Sequence, residues 1–549
     1  MCSHLKLTGV FLDKLLPKTV LQKLTYCVLS GLLLALAWPT YGFPLLLFVG
    51  FVPLLLVEYQ LLQENKKSSL VLGYAFTAFL VWNSITTFWI YYSTAFGMVF
   101  ALLVNSLLMS LVFFLFHKVH HWSRNNRIAY IFLAGCWIGF EYMHLHWEFS
   151  WPWLNLGNGF ATYYQWIQWY EYTGTFGGTL WVWLVNLLIF FSLMATQPKR
   201  IKILRAMAVS FVLLPIGVSY LIFPDYASAE AKEEYIETLI LQPNINPYTE
   251  KYNTTDKRVG DLLLKLTEEK ITPNTQLVLA PETVFADGTN IDSWSFSVAK
   301  RQVEQLKNKY PNTAFIGGIS FYKLIKDEAK IEQQTNFARP GLWFNDYNSA
   351  IAVVPGREDA FYHKSKLVVG VENFPYQDWL KPILGNIMID LGGTVAMKTT
   401  QPERSVFQLS DQTKVAPIIC YESVYGEYVG GYVNNQAQIL AIITNDAWWE
   451  DTQGHQQHLS YARLRAIEHR RAVVRSANTG ISAGILPNGD STQELGYEKQ
   501  GSLLVNLPLE NKITFYARFG DYIARIGIFI AIFSFLLALS QKLRDKKIK

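Results

Sequence analysis

Cysteine is scarce in this chain. Only Cys2, Cys27, Cys136 and Cys420 occur among 549 residues, and there is neither a CxxC pair nor an HExxH motif. Cys420 has no cysteine within 280 residues before it or anywhere after it, which excludes a disulfide framework in that part of the chain, and no zinc site is recognisable. Internal repeats and low-complexity linkers are missing too from residues 224–518. Charge is also sparse: 17% of residues are charged, for a net +5, which gives no support for a nucleic-acid partner. What is abundant is apolar. Half the chain is hydrophobic, 15% is aromatic and the mean hydropathy is positive, a composition that points to a membrane protein. The length argues for more than one domain.

Seven apolar segments occupy the first 223 residues, at roughly 24–37, 43–62, 70–92, 95–116, 128–146, 177–196 and 203–223, and an eighth runs from about Tyr522 to Ser540. Most reach or approach the ~20 residues that cross a bilayer as a helix. The first is followed by "WPTYGFP" and not by a small-residue cleavage site, so it reads as a retained span. Basic residues alternate with these segments. Lys6, Lys14, Lys18 and Lys23 precede the first; Lys66 and Lys67, then Lys118, Arg124 and Arg127, then Lys199, Arg200, Lys202 and Arg205 fill every second loop; five more lie between Lys542 and Lys549. The opposite loops 38–42, 93–94 and 147–176 contain no Lys or Arg. The positive-inside rule then puts both termini in the cytoplasm. Residues 224–518 are expected outside, in the periplasm of a cell with two membranes, as a multi-pass inner-membrane protein. The organisation expected is therefore a membrane domain over 1–223, a periplasmic domain over 224–518, and an eighth span with a basic tail over 519–549.

The 224–518 segment alternates strand-like runs ("YIETLILQ", "QLVLAPE", "TAFIGGISF", "NSAIAVV", "VAPIICYE", "ILAIITND", "AVVRSAN", "SAGILP") with helix-like stretches such as 291–309 and 458–471. This pattern predicts α/β layering around a β-rich core. The outer loop 147–176 holds twelve aromatic residues against two charges; it reads as an interfacial aromatic belt, a reading compatible with a lipid-binding rim.

Three chemically capable residues fall at the ends of strand-like runs: Glu282 in "LAPETV", Lys364 in "FYHKSKLVVGVENFP" and Cys420 in "IICYE". A thiol attacks as thiolate, a carboxylate can take its proton, and an ammonium can hold first the thiolate and then an oxyanion. Taken singly each has a plainer reading: a small core residue, a helix-start carboxylate and a solvated surface charge. His455 and His458 have metal-pair spacing, but no third ligand lies nearby in sequence and no metal is expected. His117, His120 and His121 read as a solvated basic turn in a cytoplasmic loop. Glu141, inside the fifth span, is a functional candidate by position, with a structural partner the favoured alternative.

Together, Glu282, Lys364, Cys420 and their flanking sequences resemble the carbon–nitrogen hydrolase (nitrilase) superfamily, whose site is Glu-Lys-Cys. "YHKSKLV" followed by Glu372, "CYES", "TNDAWWED", "HQQHLSYARLRAIEHRRAVVRSANTGISA" and "YARFGD" look like the apolipoprotein N-acyltransferase family, as do "PWLNLG" at 152–157 and "TGTFGGTLWVWLVN" at 173–186. The resemblance covers nearly the whole chain. It implies an αββα sandwich beyond the eight spans, Cys420 as nucleophile, Glu282 as general base and Lys364 as oxyanion stabiliser. Glu372, Tyr421 and Glu422 take supporting places. It also implies transfer of an acyl chain from a phospholipid, through a thioester on Cys420, to the α-amine of an S-diacylglyceryl-cysteine at the N-terminus of an apolipoprotein. No cofactor is implied, and a monomer is expected. Two departures stand out: "VGVE" at 369–372 where family members often read Pro-Phe-Gly-Glu, and "NDAWW" for the commoner Asn-Asp-Ala-Trp-Phe. Trp448, Trp449 and residues 371–376 are candidate lid elements or loop-core aromatics. The site is expected to face the outer leaflet. The alternative is a membrane-anchored amidase using the same residues with water as acceptor; a transporter and a catalytically dead binding module are more distant rivals.

Overall fold

The computed structural model describes residues 15–40, 42–224, 226, 234–250, 253–379 and 397–548. Cys2, Lys6, Lys14 and Lys549 lie outside the described residues. The chain forms two compact units, one from residues 1–91, 95–223 and 521–549, the other from residues 92–94 and 224–520.

The first unit is helical. Six of its helices are long and apolar enough to cross a membrane: Pro44–Gln63, Ser68–Thr87, Ala95–Trp122, Tyr170–Met194, Pro198–Leu221 and Tyr522–Lys546. Eight spans were expected, and the other two segments fall short of that measure. Val20–Leu36 is 17 residues long, about 25 Å at the helical rise. Asn126–Met143 is 18 residues long and carries Arg127 and Glu141. Leu213, Leu214 and Leu221 of Pro198–Leu221 are exposed apolar side chains, as a lipid-facing helix requires.

Two polar groups inside this unit are structural ties. Glu141 accepts hydrogen bonds from Trp137 Nε1 (2.9 Å), the Leu156 amide (2.8 Å) and Thr179 Oγ1 (2.6 Å), joining three segments. His117 and His120 do not form a solvated turn. The helix continues past its apolar run to Trp122, and both imidazoles are buried against Glu58, with Nδ1 atoms 2.7 and 3.1 Å from its Oε1. The aromatic 147–176 loop also goes inward: Trp153, Phe160 and Tyr170 are fully buried.

The second unit is built on two sheets. Strand β1 (Tyr235–Gln242) is buried along nearly its whole length, which explains its near-continuous apolar run. It lies between β14 (Gly501–Pro508) and β2 (Leu277–Leu279), and the sheet continues through β4 (Ala314–Ile325), β6 (Leu342–Val353) and β5 (Asn336–Arg339). Two further strands, β3 (Phe285–Asn290) and β7 (Ala360–His363), pair with β4 and β6. The other sheet runs β13 (Ser491–Leu495), β12 (Ser482–Ile485), β11 (Ala472–Ala477), β10 (Ile439–Thr444), β9 (Lys414–Ile419), β8 (Phe407–Gln408). Its centre, β9-β10-β11, is parallel, as are β1-β2-β4.

The sheets face each other, with β1 against β11 and β6 against β9. Helices Asp256–Glu268 and Val298–Lys309 cover the first sheet, and Gly426–Asn434 and Gln453–His469 cover the second, giving four layers. The cover is written in helical periodicity. Thr255 Oγ1 caps the Asp256–Glu268 helix. From there Val259, Leu263 and Leu266 project into a core with Leu239, Leu241, Val278 and Ile319 from the sheet.

Candidate active site

Parallel strands all end at one edge of their sheet, and ligand sites in such sheets lie beyond those carboxyl ends. Glu282 follows β2, Cys420 follows β9 and Asn445 follows β10. Lys364 continues from β7, its amide bonded to the Asn348 carbonyl of β6 at 2.8 Å.

The side chains converge. Lys364 Nζ lies 3.0 Å from Glu282 Oε1 and 2.9 Å from Glu372 Oε2, with only 1% of the lysine side chain exposed. Asn348 Nδ2 donates to the same two carboxylates, at 2.7 Å to Glu282 and 2.9 Å to Glu372. Main-chain amides complete the frame. Asn445 N donates to Glu282 Oε2 at 3.1 Å and Val368 N donates to Glu372 Oε2 at 2.9 Å. Both carboxylates are thus fixed by three directions each.

Glu282 is brought in by a close backbone approach. A Cβ at Gly318 of β4 would sit 2.2 Å from the Thr283 nitrogen and 2.7 Å from the Glu282 Cα. Only glycine admits that contact, and Gly318 N bonds the Pro281 carbonyl at 3.0 Å. Thr283 itself has φ +43° and Cys420 has φ +51°. Non-glycine residues held there cost on the order of 1–3 kcal/mol each and cluster at functional sites.

Cys420 is the first residue of a short 3₁₀ turn, Cys420–Val424, straight off β9, and is buried. Burial and the Glu282 carboxylate push its thiol well above the ordinary value, while Lys364 and a Thr444 hydrogen bond pull the other way. At rest, then, the sulfur is a thiol. Lys364 does not by itself hold a thiolate, because two carboxylates already share its charge. Burial alone would neutralise that ammonium, but Glu282 and Glu372 hold it charged, well above the usual lysine range.

Glu422 acts one step back from this cluster. It accepts from Ile419 N (2.8 Å), Ser365 N (2.7 Å), Tyr362 OH (2.5 Å) and Tyr428 OH (2.9 Å). It therefore pins the residue before Cys420 to the residue after Lys364. Tyr421 is buried with its ring edge-on to Tyr425 at 5.3 Å. Of the lid candidates, Trp448 packs on Tyr248 and Trp449 on His458.

With this geometry, the sequence comparisons are decisive. Residues 240–515 match the carbon-nitrogen hydrolase family model. The chain belongs to the carbon–nitrogen hydrolase family. Residues 30–188 match a second model, the apolipoprotein N-acyltransferase N-terminal domain. Among curated relatives, the chain is 26% identical to an apolipoprotein N-acyltransferase of Chlorobaculum tepidum, covering 94% of this chain and 96% of that protein. It is also 26% identical to one of Rickettsia bellii (95% and 98% covered) and 24% identical to apolipoprotein N-acyltransferase 1 of Treponema denticola (94% and 96% covered).

Within the carbon–nitrogen hydrolase unit the structure brings Glu282, Lys364 and Glu372 into one bonded cluster with Cys420 in its field. Asn348 was missed: in "NSAIAVV" it reads as an ordinary polar strand residue. His458 was considered only as a metal pair with His455. Instead its Nδ1 lies 2.9 Å from Asp446 Oδ1, and Arg475 Nη2 lies 2.6 Å from Asp446 Oδ2. The "TNDAWWED" motif was the one available signal for that network.

Proposed function

We propose that this protein transfers an acyl chain from a membrane phospholipid to the α-amine of the S-diacylglyceryl-cysteine that begins an apolipoprotein, by way of a thioester on Cys420. The observation that carries this reading is the buried Glu282–Lys364–Glu372 cluster around a buried Cys420 held at positive φ, on the same chain as a set of bilayer-length apolar helices.

In the first half, Cys420 Sγ attacks the ester carbonyl carbon as its proton passes to Glu282. The resulting oxyanion is held by the Lys364 ammonium, the electrostatic contribution that typically dominates such steps. Collapse breaks the ester C–O bond, and Glu282 returns the proton to the departing lysophospholipid hydroxyl. In the second half the lipoprotein amine attacks the thioester carbon, Glu282 takes the amine proton, and the C–S bond breaks with that proton going to sulfur. Splitting one exchange into two is what covalent catalysis offers. Asn348 holds Glu282 and Glu372 through both halves.

Both substrates are lipid-anchored, which gives the apolar helices a purpose. Withdrawing a chain of fifteen methylenes from a bilayer costs about 12 kcal/mol at ~0.8 kcal/mol per CH₂. A membrane-embedded enzyme avoids most of that. We further propose that Val20–Leu36 and Asn126–Met143 lie in the bilayer beside the six longer helices, making eight spans. On this reading the protein sits in the inner membrane with both termini cytoplasmic and residues 224–518 periplasmic, and it works as a monomer.

The test is mass spectrometry of the Cys420 peptide after exposure to phospholipid, followed by addition of a diacylglyceryl-peptide. A thioester-linked acyl chain that moves to the peptide amine is the expected result. Release of free fatty acid alone would indicate an amidase-like hydrolase, and acylation surviving in Cys420→Ser would overturn the assignment.

A further inference from the structure

Behind Cys420 lies a charged network that the transfer chemistry does not use. His458 is on the helix Gln453–His469, Asp446 begins the turn after β10, and Arg475 is in β11. All three are buried. His458 Nε2 is 3.3 Å from the Cys420 carbonyl oxygen and 3.0 Å from Ser423 Oγ, which itself donates to that carbonyl at 2.7 Å. A carbonyl oxygen only accepts, so Nε2 meets it as an N–H. A carboxylate likewise only accepts, so Nδ1 meets Asp446 Oδ1 at 2.9 Å as an N–H, while Arg475 Nη2, 3.1 Å from Nδ1, braces the ring through that same carboxylate. Asp446 is in turn fixed by Arg475 Nη2 at 2.6 Å and Thr444 Oγ1 at 2.8 Å.

We propose that His458, braced by Asp446 and Arg475, is a positioning residue for the nucleophile: it grips the main-chain carbonyl of Cys420 and so keeps the sulfur aligned with Glu282 and Lys364 during acyl transfer. The inference rests on reading Cys420 as the nucleophile.

Three features favour alignment over mere packing. Cys420 is in the left-handed region at φ +51°, a conformation that a non-glycine residue keeps only when its surroundings over-determine it. The carbonyl that defines that conformation is the group His458 and Ser423 hold. Next, a carboxylate and a guanidinium have been buried to brace one imidazole. Apolar residues of similar volume would fill the space without the desolvation cost, but they would supply no directional donor. Last, Asp446 ties the imidazole to the sheet. It acts through His458 on the carbonyl, and it accepts at 2.8 Å from Thr444, the last residue of β10, the strand beside the one that leads into Cys420.

The test is single-turnover acylation of Cys420 in detergent-solubilised full-length protein, with phosphatidylethanolamine in mixed micelles. His458→Phe keeps a ring and loses the donor. Misplacing a reacting group by an ångström costs on the order of a hundredfold, so acylation should slow by about 30- to 100-fold. The half-saturating lipid concentration should hold, as should the rate of thiol alkylation by iodoacetamide, a small reagent that needs no alignment with Lys364. His458→Gln, which can still reach the carbonyl with an N–H, should restore most of the rate, whereas the shorter His458→Asn should not. Wild-type acylation in His458→Phe, or equal rates in the Gln and Asn variants, would overturn the proposal. If the Phe variant does not fold, the Gln–Asn contrast decides alone. A parallel Cys420→Ser sample separates the two readings. Acylation there would defeat the nucleophile assignment; its loss there, without a Gln–Asn contrast, would defeat only the role of His458.

Discussion

Removing the Lys364 charge should damage stability and catalysis by different amounts, and the two can be separated. The ammonium lies within 3.0 Å of Glu282 and 2.9 Å of Glu372, whose side chains are 9% and 12% exposed. Lys364→Met leaves two neighbouring carboxylates, both short of solvent, without their shared counter-charge. Breaking a buried pair by deleting one partner costs about 3–5 kcal/mol. For a unit of this size that corresponds to roughly 5–8 °C of melting temperature. Acyl transfer should fall by about 10²- to 10³-fold through loss of the oxyanion partner. The second variant is the control. In Lys364→Met/Glu372→Gln one of the stranded charges is gone, so much of the stability should return while activity stays lost. The assays are thermal unfolding of the solubilised protein and formation of N-acyl peptide. A Lys364→Met protein that melts within about 2 °C of wild type, or keeps more than a tenth of its transfer rate, would refute both the ion-pair accounting and the role of the lysine.

Glu282→Gln should cut acyl transfer by about 10²- to 10⁴-fold, the usual worth of a general base. It also removes a carboxylate that raises the thiol, so the pH profile of Cys420 alkylation should move to lower pH; a profile that stays put would contradict the geometry. Gly318→Ala should abolish transfer without unfolding the sheet, because its Cβ would strike Thr283 N at 2.2 Å; a functional alanine variant, measured by N-acyl peptide formation, would refute this. Asp256, opening a helix against Asp287, has its carboxyl pushed up by burial from 3.8 to about 6. The fold therefore prefers the protonated form, is unpenalised below the lower value and loses stability as pH rises through the upper one. Asp256→Asn should raise the melting temperature at pH 7 and leave it unchanged near pH 3.5, and a gain at both would exclude the charge as its cause.

The parts of the site legible in the sequence were those attached to strong local signals. Strand β1 is legible over the residues it occupies, because a largely apolar eight-residue stretch ends in turn residues. Glu282, Lys364 and Cys420 each stood just past such a run. Other strands carry no comparable pattern: β3 reads "FADGTN" and β13 "STQEL", polar stretches held by their neighbours and not by their own alternation. The Asp446–His458–Arg475 network is assembled from residues 12 and 17 positions apart, and only the fold makes that proximity. His117 and His120 were misplaced for a related reason. Hydropathy ends a span where the apolar run ends, whereas a helix continues as long as its polar groups find partners, and here Glu58 supplies them. The same limit applies to the two short apolar helices, where composition alone does not reach bilayer length.

On the proposed mechanism, the charges around Cys420 would let one base serve both halves of the reaction. Two carboxylates face a single ammonium, so the cluster is net negative beside the sulfur, the reverse of a site that stores a ready thiolate. Such a thiol resists adventitious oxidation and attacks only when a carbonyl arrives to receive the electrons as its proton leaves. The same raised thiol is a poor leaving group as an anion, so expelling it from the thioester requires a proton delivered at the sulfur. On the same proposal Glu282, carrying the proton taken from the incoming amine, would provide it. Water could complete the same cycle, so preference for an amine cannot come from these four residues. On the proposed function it would come from how long the acyl chain and the lipid-anchored amine remain together, a role we assign to the apolar helices.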